Sequence, residues 1–174
     1  SKWIANQLSK KQQEDLFFIP DAWKNDTWEF SLREDEKIGF VFPVYSWAPP
    51  VIVQEFIRKL SLKGYRQQYL FFVCSCGDDT GLTQQVMEKA LAAKGWTCNA
   101  GFSVIRPNNY VLFPGFDVDS KELEEKKLAE AVPALERVNR LIAEKEYVFA
   151  CKEGSFPFLK TRIINPLFVR YQMS

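Results

Sequence analysis

The fold is decided by residues 69–74, which read YLFFVC and form an unbroken apolar run of strand length. A strand that is apolar on both faces is expected in the middle of a parallel sheet covered by helices on either side. A polar loop follows at 75–81, and apolar residues at helical spacing predict a helix over 83–94. This order of strand, loop and helix is typical of α/β proteins.

The same alternation continues outward from this run. Apolar residues at helical spacing predict one helix near the N-terminus, with Ser1 as its N-cap, and another after Pro50. A long charged helix is predicted from about 117 to 146, with Pro133 expected to kink or split it. Further strands are predicted at 16–19, 29–32, 38–42 and 97–105. These elements predict an α/β, doubly wound parallel sheet with helices on both faces.

The composition excludes several classes of protein. The 174 residues carry 23 Lys and Arg against 22 Asp and Glu, a formal net charge of +1, and 47% of them are hydrophobic. That apolar content is too high for a disordered chain, and the near-neutral charge gives no long-range attraction to nucleic acid. There is no histidine, so sites that use an imidazole base and histidine-rich zinc sites are excluded.

The chain contains four cysteines, Cys74, Cys76, Cys98 and Cys151, which are too few for a disulfide-stapled secreted domain of this length. Their spacing lacks the close runs of iron–sulfur motifs, so buried thiols in a reducing cytoplasm are the favoured interpretation. No apolar run approaches the roughly 20 residues of a membrane-spanning helix. We therefore expect a cytoplasmic protein without a membrane span.

Three loops follow predicted strands and are candidates for a ligand site, because ligands of open α/β sheets bind at the carboxyl ends of the strands. The first, residues 43–50, holds Tyr45 and Trp47 among prolines, where their flat rings could stack on a conjugated ligand. In the second, residues 75–81, Gly77 lets the backbone approach a ligand, and successive amides can donate to ring carbonyl or nitrogen atoms. The third loop covers residues 106–110.

Plainer interpretations of these loops stay open. Tyr45 and Trp47 could cap the core or face a partner protein. The second loop could be an ordinary turn in which Asp79 or Thr80 caps the next helix. Asp78 and Asp79 are adjacent and should point apart, so they do not make a convincing acid–base pair.

The loop sequences resemble those of the family in which a flavodoxin domain is fused to a two-cluster ferredoxin module. Residues 38–47 (IGFVFPVYSW) are similar to the second cofactor loop of flavodoxins, and residues 74–79 (CSCGDD) are similar to the third. Residues 102–110 (FSVIRPNNY) and 156–158 (FPF) also match the family, so the resemblance covers essentially the whole chain. It implies a flavodoxin-like doubly wound fold, binding of FMN and electron transfer.

The resemblance also implies where the FMN lies. The flavin ring would sit between the loop of Tyr45 and Trp47 and the loop of Gly77 and Asp78, whose backbone amides would bind its pyrimidine edge. Ser1 would be the last residue of the phosphate loop. The residues expected to bind FMN are Ser1, Pro43, Tyr45, Ser46, Trp47, Ser75, Cys76, Gly77, Asp78, Asp79, Asn108 and Tyr110. No catalytic residue and no metal ligand is expected.

The resemblance further implies a longer protein. In the family, a first strand and most of the phosphate loop precede the position that matches Ser1, and a ferredoxin module follows the flavodoxin domain. Residues 1–146 are expected to form the flavodoxin-like domain. Residues 147–174, in which no clear element is predicted, are expected to pack on that domain or to lead to the ferredoxin module. The expected partners are redox proteins, among them such a module in the same full-length chain.

Two alternatives to an electron carrier stay open. The first is an FMN-dependent NAD(P)H or quinone oxidoreductase on the same fold, which needs room for its substrate above the flavin. The second is a flavin-free interaction module whose aromatic loop docks a partner. Fold-level similarity does not separate them, because function resides in the site.

Overall fold

A computed structural model describes residues 1–108 and 118–172, with the backbone alone for Gln172. Its helices are α1 (Lys2–Gln12), α2 (Ile19–Lys24), α3 (Val51–Lys59), α4 (Thr83–Ala92), α5 (Lys121–Ala143), α6 (Pro157–Leu159) and α7 (Asn165–Gln172). A π-helical stretch, Lys160–Ile164, joins the last two. Its strands are β1 (Glu29–Ser31), β2 (Ile38–Pro43), β3 (Ser61–Lys63), β4 (Leu70–Cys76), β5 (Ala100–Ile105) and β6 (Val148–Ala150). None of the helices in these ranges has the length and apolar character needed to cross a membrane.

The main sheet has four strands in the order β2-β4-β5-β6, and each neighbouring pair is parallel. Strands β1 and β3 form a separate short parallel pair. Strand β4 is buried along its whole length, as its unbroken apolar run predicts. The architecture is therefore the expected α/β one, consistent with a flavodoxin-like doubly wound fold.

Two hydrophobic cores cover the opposite faces of this sheet, because successive side chains of a strand point to opposite sides. Phe72 and Cys74 of β4 pack with residues of α3 and α4 on one face. Phe71 and Val73 pack with residues of α1 and α5 on the other. Burying one such side chain contributes roughly 1.5–3 kcal/mol, so the strands form a rigid base for the loops at their ends.

One prediction about local structure is wrong, and a second is wrong in part. Residues 16–19 do not form a strand: Pro20 occupies the first turn of α2, which begins at Ile19, and Phe17 and Phe18 are exposed. Proline favours this position because its fixed φ suits a helix start. Pro133 does not split the long helix, since α5 runs continuously from Lys121 to Ala143. The buried face of α5 packs on the sheet and outweighs the local cost of about 3 kcal/mol.

The residues that follow Glu146 are structured, which the sequence did not predict. Strand β6 pairs with β5 in parallel, with Ala100 opposite Val148 and Phe102 opposite Ala150. The segment therefore completes the edge of the same sheet before it turns into α6 and α7. Strand β6 has only three residues, so its pattern alone is too short to mark it as a strand.

Candidate functional site

The three candidate loops meet at one edge of the sheet. Strands β2, β4 and β5 are parallel and paired in register, so their carboxyl ends lie side by side. The amide of Val44 donates to the carbonyl oxygen of Ser75 at 2.8 Å, and the amide of Arg106 donates to that of Cys76 at 2.8 Å. The loops on either side are thus tied to the end of β4, where the strand order predicts a ligand site.

Residues 45–48 form a tight turn just beyond β2. The amide of Tyr45 donates to the carbonyl oxygen of Ala48 at 3.0 Å, and the amide of Ala48 donates back to Tyr45 at 3.2 Å. Ser46 and Trp47 have φ of 46° and 62°, in the left-handed region that residues with side chains rarely adopt. Strain of this kind costs about 1–3 kcal/mol per residue and is common at ligand sites. The turn leaves Tyr45 59% exposed and Trp47 half-buried.

The C-terminal segment holds this strained turn in place. The hydroxyl of Thr161, whose residue is 4% exposed, donates to the carbonyl oxygen of Trp47 at 2.7 Å. The hydroxyl oxygen of Thr161 also accepts from the amide of Leu82 at 2.8 Å. The side-chain amide of Asn165 donates to the carbonyl oxygen of Tyr45 at 3.2 Å. Both aromatic residues of the turn are therefore fixed through their backbones.

The loop after β4 carries three successive backbone donors. Among the described residues, the amides of Gly77, Asp78 and Asp79 donate to no protein acceptor. Gly77 lies against Asn108, because a Cβ added at Gly77 would be 3.1 Å from the Cβ of Asn108. Backbone amides of folded proteins are nearly always paired with protein, water or a ligand. These three amides, which have no acceptor among the described residues, can bind the acceptor atoms of a planar ligand.

The side chains of Asp78 and Asp79 diverge, as their adjacency predicts. Asp78 Oδ1 lies 3.2 Å from Nζ of Lys127 on α5. Asp79 Oδ2 lies 2.6 Å from Nζ of Lys160 in the C-terminal segment. Each carboxylate thus ties the loop to a different part of the fold, and the two do not act together.

Lys127 is a buried cation between two carboxylates. Its Nζ lies 2.8 Å from Asp119 Oδ2, in addition to Asp78, and the amide of Asn108 donates to Asp119 Oδ2 at 2.9 Å. Burial lowers the pKa of Lys127, but its hydrogen bonds to the two carboxylates outweigh this and raise it. Burial likewise acts to raise the pKa of Asp119, but the bond from Lys127 and the Asn108 amide hold it below the usual value. Lys127 and Asp119 therefore stay ionised at neutral pH.

Asp79 does not cap the next helix, and neither does Thr80. Helix α4 has Leu82 at its N-cap without a side-chain bond, and the buried Thr80 donates through its amide to the carbonyl oxygen of Lys152 at 2.8 Å. Asp79 instead faces the C-terminal segment, and its Oδ1 is buried without a partner among the described residues. Lys160 Nζ, which binds the other oxygen, also lies 5.4 Å from the centre of the Trp47 ring. The turn and the loop after β4 thus converge on one cation.

The thiol at the end of β4 is neutral. Burial, with the nearby Asp79 carboxylate as a smaller contribution, raises the pKa of Cys76 to about 12. Ser75 is also buried and accepts the strand-end hydrogen bond from Val44. Pro43 is half-buried at the end of β2. These residues form an uncharged base beneath the two loops.

Two of the residues expected to bind FMN, Ser1 and Tyr110, lie outside the two loops described above. Ser1 is the N-cap of α1, and the guanidinium carbon of Arg106 lies 4.9 Å from the ring centre of Trp3 in the first turn of that helix. The N-terminus of α1 is therefore close to the end of β5. Tyr110 lies outside the described residues.

The sequence analysis missed three residues that organise the site, Lys127, Lys160 and Thr161. Lys127 precedes Ala131 and Leu135 by one and two helical turns. The helical spacing therefore predicts that Lys127 lies on the buried, apolar face of α5. No such signal exists for Lys160 and Thr161. They lie in a segment without clear periodicity, and their partners are far away in the sequence.

Comparison with known proteins found no matching family model, no similar curated protein and no similar solved structure. The function must therefore be argued from the residues of the site. Surface recesses of about 80 Å³ between α1 and α5 and about 220 Å³ beside Leu32 and Arg66 are lined by residues outside the three loops.

Proposed function

We propose that this chain binds FMN at the carboxyl edge of its sheet and passes electrons through it. The observation that carries the proposal is the row of amides at Gly77, Asp78 and Asp79, which have no acceptor in the described protein. The pyrimidine edge of a flavin offers carbonyl oxygens and ring nitrogens that match such donors. Each hydrogen bond would contribute about 0.5–1.5 kcal/mol and would fix the orientation of the ring.

The neighbouring residues fit the same group. Trp47 and Tyr45 supply aromatic surface for a flat conjugated ring, and their turn is held rigid, so little entropy is lost on binding. Ser75 and Cys76 would lie under the ring edge as neutral groups.

The phosphate of FMN would lie at the N-terminus of α1. Helix N-termini favour anions because their amides and their dipole are positive there. Ser1 stands at this position, and the guanidinium carbon of Arg106 lies 4.9 Å from the ring centre of Trp3 in the first turn of the same helix. Both are at the same edge of the sheet as the two loops, because Arg106 directly follows β5.

Bound FMN would supply the one- and two-electron chemistry, and this chain would orient the ring and set its potential. Lys127 is paired with both Asp78 and Asp119, so this cluster has a net charge of −1 near the ring edge and would disfavour a reduced, anionic flavin. Asp79 is compensated by Lys160 and adds no net charge. We place the protein in the cytoplasm, where its four thiols would stay reduced, with redox proteins as partners.

The test is FMN titration of the purified full chain, followed by flavin absorbance and fluorescence. We expect a one-to-one complex whose affinity falls at least tenfold in Trp47→Ala, about 1.4 kcal/mol or more. The matched control is Trp28→Ala, which removes an indole that packs against Trp23 and Phe56 away from the site. A protein that takes up no FMN would overturn the proposal and favour the interaction module. Steady NAD(P)H oxidation by the FMN complex would instead favour the oxidoreductase.

A further inference from the structure

The segment from Pro157 to Gln172 has two dissimilar sides. Its inner side carries Lys160, Thr161 and Asn165, which bind Asp79, Trp47 and Tyr45 respectively. Several apolar residues of the segment are exposed, among them Leu159 at 46%, Ile163 at 48% and Leu167 at 64% on its outer side. Clusters of exposed aliphatic side chains on one element mark interaction surfaces more often than isolated ones do.

These apolar residues form a row, because they recur every fourth position along a helical segment. Arg162 and Arg170 are exposed and lie one position before Ile163 and three after Leu167, which places them in the adjacent row. We call the five residues Leu159, Arg162, Ile163, Leu167 and Arg170 the C-terminal face. The π-helical stretch Lys160–Ile164 lies within it, and such stretches are frequent at functional sites.

The charge of the C-terminal face has one sign. Residues 155–172 contain Lys160, Arg162 and Arg170 and no Asp or Glu. Lys160 is neutralised by Asp79. Within residues 1–108 and 118–172, neither arginine forms an ion pair. The face therefore presents an apolar row beside two uncompensated guanidinium groups.

We propose that the C-terminal face docks an acidic protein that exchanges electrons with this chain. Such a partner would cover the apolar row with its own apolar patch and place carboxylates opposite Arg162 and Arg170, where bidentate pairing is favoured. The electron exchange rests on the function proposed above, whereas the docking rests on the face alone.

Two other occupants fit the face less well. A second copy of the chain would bring its own Arg162 and Arg170 to the same apolar row, and neither copy supplies a carboxylate from this segment. An anionic membrane surface is bound by clusters of about 4–8 basic residues, and the face offers two. An acidic protein can be bound by fewer basic residues than an anionic membrane, because transient redox complexes bury little surface.

The location of the face gives the docking a consequence for the site. Thr161 and Asn165 hold the backbone of the 45–48 turn from the opposite side of the same segment. A partner seated on Ile163 and Leu167 is thus one helix thickness from Trp47, and contact there would also brace the turn.

The test measures binding of two probes, an acidic plant-type ferredoxin and a basic cytochrome c, to the purified full chain by calorimetry. It is run with and without added FMN, at about 20 mM and 200 mM salt. The charge variant is Arg162→Glu with Arg170→Glu, and the apolar variant is Leu167→Ser. The matched control is Arg66→Glu with Arg137→Glu, which makes the same charge change at two exposed arginines elsewhere. Circular dichroism checks that each variant is folded.

We expect the ferredoxin to bind, more weakly at high salt, and the cytochrome not to bind. The charge variant should weaken ferredoxin binding at least tenfold and Leu167→Ser several-fold, and the control should leave it within about twofold. Equal binding by wild type and charge variant would overturn the proposal. So would binding of anionic lipid vesicles in place of ferredoxin, or a wild-type dimer that Leu167→Ser dissociates. Ferredoxin binding without FMN uptake would support the docking proposal and contradict the flavin function. FMN uptake without ferredoxin binding would support the flavin function and contradict the docking proposal.

Discussion

The hydroxyl of Thr161 donates a 2.7 Å hydrogen bond to the carbonyl oxygen of Trp47, across 114 positions of sequence. It also accepts from the amide of Leu82, so one buried side chain joins the aromatic turn, the start of α4 and the C-terminal segment. The strained φ of Trp47 is therefore stabilised by tertiary contacts and not by the local sequence.

The substitution Thr161→Val tests the two hydrogen bonds of this hydroxyl. Valine has the same shape but neither donates nor accepts, so it leaves the Trp47 carbonyl and the Leu82 amide without their buried partner. We expect the free energy of unfolding to fall by about 1–3 kcal/mol, measured by denaturant titration. The control is Thr97→Val, which removes an exposed hydroxyl that donates to Gln67. It should change the free energy of unfolding by less than about 0.5 kcal/mol. An equal effect of the two substitutions would contradict the role of Thr161.

Gly81→Ala tests the packing between the turn and the loop after β4. Gly81 has φ of 54°, and an added Cβ would be 2.7 Å from the Cβ of Trp47. Gly95 has φ of 75° with open space around it, so Gly95→Ala carries the backbone strain without the clash. We expect Gly81→Ala to be the more destabilising by about 1–3 kcal/mol, and to weaken FMN binding. Indistinguishable unfolding curves for the two variants would show that the turn is not packed on Gly81.

Asp119→Asn tests the ionised cluster around Lys127. The folded-state pKa of Asp119 lies below its ordinary value of 3.8, so its carboxylate contributes stability above that pH and loses it as the pH falls through the lowered pKa. Wild type should therefore be more stable than Asp119→Asn by a constant amount at neutral pH. The difference should shrink below pH 3.8, as followed by thermal unfolding across pH. A difference that persists unchanged to about pH 2 would contradict this assignment.

The thiols should differ in their reactivity. Burial raises the pKa of Cys76 and of Cys98 to about 12, and a hydrogen bond with Cys151 together with burial raises that of Cys74. Cys151 is only half-buried. Iodoacetamide at about pH 8 should therefore modify Cys151 first in the native protein, with the other three following only on unfolding. The sites are identified by peptide mass spectrometry, and rapid native labelling of Cys76 would be the contrary result.

Much of the fold could be predicted because its signals are local. The apolar run at 69–74 identified the buried central strand, and the alternation around it predicted the α/β class. The failures were of two kinds. The short apolar run at 16–19 was predicted to be a strand, but a helix begins at Ile19 with Pro20 in its first turn. Strand β6 has too few residues for any period, and exists because β5 offers an edge to pair with.

The candidate site could likewise be predicted only where its signals are local. The sequence by itself determined that loops rich in aromatic residues, glycine and aspartate follow the strands, because turn-forming residues and strand periodicity are encoded by neighbours. Only the tertiary structure decided that Asp78 pairs with Lys127 and Asp79 with Lys160, and that Thr161 holds Trp47. Those contacts join residues far apart in the chain, and they form because the packed sheet brings together groups whose burial unpaired would cost free energy.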